Sequence, residues 1–93
     1  MHMNYHWYPA KATANVKKHG VEFADAIGVF DDPGAITIED SDSEGEGQRF
    51  LSIGLDFLGR LIVVAYTYRG DNIRVISARK ATRKEISVYE KRI

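Results

Sequence analysis

The 93-residue chain has no cysteine, an absence that excludes disulfides, thiolate catalysis and cysteine-based zinc sites together. Nor does it have an apolar run near the roughly 20 residues that a membrane span requires, or a basic-then-apolar leader. A soluble, cytoplasmic protein with no membrane association is expected. Histidine is scarce, at His2, His6 and His19, and two of the three fall in the first six residues. A histidine-built metal site is therefore not expected. There is also no phosphate-cradling glycine loop, HExxH, nucleophile elbow or calcium loop, so no cofactor is implied.

What is present is an ordinary globular composition, 44% hydrophobic and 28% charged, with a net charge of zero. At this length one domain over residues 1–93 is expected, burying roughly 60–65% of its unfolded surface. The zero hides an asymmetry. Between Glu22 and Glu46 there are nine acids and no Lys or Arg, whereas Arg69 to Ile93 holds eight bases against three acids. Residues 1–20 add Lys11, Lys17 and Lys18 without an acid. If the two ends meet in the fold they form a basic face suited to phosphate, and if they do not the charges are merely solvated.

The chain reads as helix, helix, four strands, helix. Pro9 suits a first helical position and Gly20 a left-handed cap, which sets a first helix over about Pro9–Lys18. Phe23, Ala26, Ile27 and Phe30 then fall on one helical stripe, ended by Asp31-Asp32-Pro33-Gly34. Strands follow over Ala35–Glu39, Gln48–Leu55, Arg60–Tyr68 and Asn72–Lys80, with a turn at Asp56–Gly59. Residues 1–6 are read as a tail and 40–47 as a mobile acidic loop. Thr82-Arg83-Lys84-Glu85 is a capping box opening a last helix, whose stripe is Ile86, Tyr89 and Ile93. Short connections between successive strands favour an α+β fold of two layers: a four-stranded antiparallel sheet with the two N-terminal helices and the C-terminal helix covering one side.

The stretch Ala65–Lys80 carries Arg69, Arg74 and Arg79 on adjoining strands. Guanidinium forks suit phosphate, but an equally ordinary role for Arg74 or Arg79 is to pair with an acid such as Glu85. A two- or four-residue turn at Gly70-Asp71 sets Tyr68 opposite Ile73 and Thr67 opposite Arg74. Arg74 then shares a face with Thr67 and Arg69, and Arg79 the opposite face with Tyr66 and Ser77. Either strand twist brings Arg79 round, or the site uses Arg69 and Arg74 and leaves Arg79 to hold the last helix. Trp7, Tyr66 and Tyr68 are candidates for stacking on bases, with core packing as the competing role. His19 is a candidate proton carrier, or a residue that only closes off its helix.

These residues resemble the BrnT family of type II toxins. The resemblance lies in Trp7-Tyr8-Pro9-Ala10-Lys11-Ala12, Asn15, Lys18-His19-Gly20 and Phe23, then Val29-Phe30-x-Asp32-Pro33, Arg49 and Ile53-Gly54. It closes with Tyr66-Thr67-x-Arg69, Ile73–Arg79, Ala81, Glu85 and Tyr89, and so spans nearly the whole chain. Tyr8 departs from it, standing where the family usually has Asp at the cap of the first helix.

The resemblance implies a RelE-like fold and an endoribonuclease that inhibits translation without a metal, the RNA 2′-hydroxyl attacking the neighbouring phosphate. It also implies a BrnA-type antitoxin that binds operator DNA in complex with the toxin. On this basis Arg69, Arg74 and Arg79 are expected to serve the phosphate, assisted by Lys18 or His19. RNA contacts are expected from Trp7, Lys11, Arg49, Tyr66 and Tyr68. The alternative is a protein-binding module that keeps the fold and acts only as antitoxin partner or co-repressor. A third is a nucleic-acid-binding domain without catalysis, which a balanced charge and an acidic loop disfavour.

Overall fold

A computed structural model describes residues 4–40 and 48–91. In chain order these form β1 (Asn4–His6), α1 (Pro9–His19), α2 (Phe23–Ala26), a 3-10 turn (Ile27–Asp31), β2 (Ile36–Asp40), β3 (Arg49–Leu55), β4 (Leu61–Arg69), β5 (Asn72–Lys80) and α3 (Arg83–Glu90). The strands make one five-stranded sheet in the order β1-β5-β4-β3-β2.

The sheet is mixed, which corrects the expected four antiparallel strands. Asn4–His6, read from the sequence as tail, pairs in parallel with the start of β5. A parallel partner needs no tight turn and leaves no turn signal, so the hairpin grammar that located the other strands is silent about it.

The second helix is also shorter than expected. Its regular part ends at Ala26 because the turn between β3 and β4 presses on it: the amide of Phe57 donates to the carbonyl of Asp25 at 3.1 Å. Gly28 is needed at this contact, since a Cβ there would lie 2.5 Å from the Phe57 backbone nitrogen. With that carbonyl engaged from outside, the chain continues as the tighter 3-10 turn.

The local signals elsewhere hold. α1 starts on Pro9 and ends on Gly20, whose φ of 70° is left-handed and whose amide returns to Val16 at 2.8 Å. The turn after β3 is built on buried Asp56, which accepts from the amides of Leu58 (3.0 Å) and Arg60 (2.8 Å) and pairs with the Arg60 guanidinium. The capping box of α3 forms as read.

Helices cover both faces of the sheet, not one. Ile62, Val64 and Tyr66 of β4 and Ile73, Val75 and Ala78 of β5 pack against Val21, Phe23, Ala26 and Val29 from the α1–α2 region. The alternate residue Val63 joins Ile53 and Tyr89 in a smaller cluster on the other face, beneath α3. Tyr89 is the buried residue of the expected α3 stripe and Ile86 is half-buried, while Ile93 lies outside the described residues. Residues 41–47 of the acidic loop lie outside them too, as do 1–3 of the tail. Among the described residues no helix is long and apolar enough to cross a membrane.

Candidate active site

The β4–β5 hairpin has the expected pairing at its tip, with Tyr68 opposite Ile73 and Thr67 opposite Arg74. Farther on, the register shifts. Tyr66 pairs with Val75 but Ala65 pairs with Ser77, so Ile76 is the extra residue of a β-bulge. The bulge inverts the faces downstream, leaving Ala78 in the helix-covered core and placing Arg79 opposite Val63 on the face of α3. Unbroken alternation had put Arg79 on the face opposite Arg74. The bulge instead puts them on the same one.

They do not converge on one site, however. Arg79 is held by α3: its two terminal nitrogens donate to the Glu85 carboxylate at 2.8 and 2.9 Å. This hydrogen-bonded pairing keeps the Glu85 carboxyl at about 2 and raises the Arg79 guanidinium further. Arg79 therefore anchors α3 over one half of the face.

The other half carries a line of opposed residues across all five strands. Asp40 faces Arg49, Arg49 faces Thr67, Thr67 faces Arg74, and Arg74 faces His6. Directly opposed residues share a face, so two arginines flank buried Thr67, with a histidine at one edge and a carboxylate at the other. The Thr67 hydroxyl donates to the Gln48 carbonyl at 2.7 Å. Arg69 lies two pairs farther out, opposite Asn72 and exposed at the rim.

Helix α1 supplies the wall beside this line. Buried Asn15 fixes it to the edge of β5 just past the bulge, beyond the pairing with β1: its Nδ2 donates to the carbonyls of Ala78 (2.8 Å) and Val21 (2.9 Å), and its Oδ1 accepts from the Ala78 amide (3.1 Å). Two adjoining clefts result. The first, about 80 Å³, is lined by Tyr8, Lys11, Arg49, Arg74, Val75 and Ile76. The second, about 270 Å³, runs between α1 and the bulge and is lined by Lys11, Lys18, His19, Ile76 and Ser77 among others. Lys11 and Ile76 border both, so the two form one continuous surface. Lys11 and Lys18 of the first twenty residues thus come beside Arg74 of the basic C-terminal stretch, through the pairing of β1 and the packing of α1 against β5.

The aromatic candidates fare differently. Tyr66 is 3% exposed, its hydroxyl bonded to Ser52 at 2.9 Å and its ring edge-on to Phe30; it is a core residue and offers no platform for a base. Trp7 is half-buried and edge-on to Phe23, on the flank of the same core. Tyr68 is 48% exposed, but it follows Tyr66 on the helix-covered side, away from the arginines. Burial, then the adjacent Tyr66, raises its hydroxyl above the usual phenol range.

His6 and Tyr8 belong to this surface and were not among the sequence candidates. His6 was hidden because its strand was read as tail. Tyr8, at the entrance to α1, was read only as a departure at a cap; its hydroxyl accepts from Arg74 Nη1 at 2.9 Å and its ring centroid lies 5.3 Å from the Arg74 Cζ.

A surface with Arg74, Arg49 and Lys11 around a small cleft suits the oxygens of a phosphate diester. Comparison with known proteins points the same way. Residues 7–85 match the family model for the ribonuclease toxin, BrnT, of type II toxin-antitoxin systems. Curated proteins give no match. Among solved structures, the crystal structure of the Brucella abortus ribonuclease toxin BrnT superposes with a TM-score of 0.69 at 26% identity, covering 88% of this chain and 100% of that one. With a family model spanning most of its length and a solved BrnT sharing its fold, this chain belongs to the BrnT family of ribonuclease toxins of type II toxin–antitoxin systems.

Proposed function

We propose that the protein is a metal-independent endoribonuclease that cuts RNA at the Arg49–Thr67–Arg74 line and thereby inhibits translation, and that a BrnA-type antitoxin neutralises it and carries the complex to operator DNA. The observation that carries this reading is the convergence of Arg74, Arg49 and Lys11 on one cleft. RNA brings its own nucleophile, so the enzyme need not generate one. Attack of the 2′-oxygen forms a new bond to phosphorus and breaks the bond to the 5′-oxygen, leaving a 2′,3′-cyclic phosphate and a 5′-hydroxyl. The phosphate gains negative charge on the way, and fixed guanidinium and ammonium groups around it lower the barrier.

Arg74 and Arg49 hold the phosphate, Lys11 supports it, and exposed Arg69 guides the incoming strand. His19, with Lys18 beside it in the second cleft, carries the proton that leaves the 2′-hydroxyl or the one that reaches the 5′-oxygen; imidazole is suited to both tasks near neutral pH. Arg79 acts at a distance, by holding α3.

Incubating purified protein with single-stranded RNA in EDTA tests this. The expected products end in cyclic phosphate, and Arg74→Ala slows their formation by on the order of a hundredfold. RNA left intact by the wild-type chain under these conditions refutes catalysis and leaves the antitoxin-partner role.

A further inference from the structure

Tyr8 occupies the N-cap of α1 and makes no side-chain cap bond there. Such positions favour Ser, Thr, Asp or Asn, whose short oxygen-bearing side chains bond the first free amides of the helix. A tyrosine forgoes that bond. The ring is not a core residue either, being 56% exposed. Neither helix capping nor packing accounts for it.

Its contacts point into the site. The hydroxyl accepts from Arg74 Nη1 at 2.9 Å, and the guanidinium carbon stands 5.3 Å from the ring centroid, within the range of a cation–π contact. Tyr8 also lines the cleft shared by Lys11 and Arg49. It holds Arg74 through two contacts and carries no charge itself. More than half of the Tyr8 surface stays open to solvent.

From this arrangement we infer that Tyr8 is a positioning residue for Arg74 and also the stacking platform for a nucleobase next to the phosphate that Arg74 binds. The preferred substrate is then single-stranded RNA, because a base within a duplex has no free face for the ring. A flat aromatic surface accepts any base, so the platform contributes affinity and register with little sequence preference. This inference rests on the ribonuclease reading above.

The test compares wild type, Tyr8→Ala and Tyr8→Phe on a short single-stranded RNA and on the same RNA with an abasic nucleotide at each position flanking the cut. A matching 2′-O-methyl strand, which cannot be cleaved, reports binding alone by fluorescence anisotropy. Tyr8→Ala raises KM and weakens 2′-O-methyl binding by about tenfold, the scale of one base stacked on an aromatic ring. It also lowers kcat, because Arg74 loses its support. Tyr8→Phe keeps the platform, so its KM stays at the wild-type value while kcat falls. At one abasic position the KM penalty of Tyr8→Ala disappears.

Wild-type kinetics in Tyr8→Ala, with unchanged circular dichroism and melting temperature, overturns the inference. So does an equal KM penalty on intact RNA and on every abasic strand. Wild-type protein that binds the 2′-O-methyl strand with the Tyr8 dependence intact, yet cuts nothing, refutes the ribonuclease reading and leaves the platform standing. Wild-type protein that neither binds this strand nor cuts RNA refutes both.

Discussion

At the scale of single residues, Asn15 shows how one side chain can position a site without belonging to it. Its amide replaces a missing neighbouring strand for Ala78, satisfying both backbone groups on the edge of β5 beyond β1, and it ties in Val21 as well. Asn15→Ala takes a partner from three backbone groups and should cost roughly 3 kcal/mol or more in urea unfolding, given about 1–3 kcal/mol for each buried group left unmet. A loss under 1 kcal/mol would mean that water takes over the role. Asn15 stood out in the sequence only through the family pattern, since its partner is 63 residues away.

Among the elements, α3 is held by polar contacts as well as by its small apolar cluster. Tyr89 donates to Asp32 at 2.8 Å, and Glu85 joins the Arg79 fork while closing the capping box. The hydrogen bonds from Arg79 bring the Glu85 carboxyl from an ordinary 4.5 down to about 2. A carboxyl whose folded value is depressed stabilises the fold above its unfolded value, and that contribution fades as pH falls from 4.5 toward 2. Because the two side chains are 38% and 25% exposed, solvent screening limits the effect to at most about 1 kcal/mol. Glu85→Gln should therefore lower the melting temperature at pH 7, and the gap from wild type should close on acidification. A gap that is constant with pH would show that the ion pair contributes nothing. The same scale explains the bulge, which the sequence could not announce: the hairpin's turn chemistry sets the register near Gly70, but nothing local marks Ile76 as the residue to be skipped.

For the molecule as a whole, one face of the sheet is closed among the described residues by α1 and α2, whereas α3 covers only part of the other, and the remaining part has Arg49, Arg74 and Lys11 at its border. If those three meet RNA phosphates, log affinity should fall with log salt at a slope of about −2, and Arg74→Ala should flatten it by about 0.7. A slope near zero would point to recognition by stacking alone. The sequence by itself determined the start and stop of α1, the strand pairing at the hairpin tip, the capping box that opens α3, and the family to which the chain belongs. Each of these is written within a few residues, as a proline, a glycine, a capping pair or a β-branched run. Only the tertiary structure decided that residues 4–6 form a strand, that helices lie on both faces, that Tyr66 is core and Arg79 an anchor, and that Arg49 stands in line with Arg74. Those facts depend on which strand is neighbour to which and on where a ladder slips. Such choices come from packing between distant segments, and no spacing within a segment encodes them.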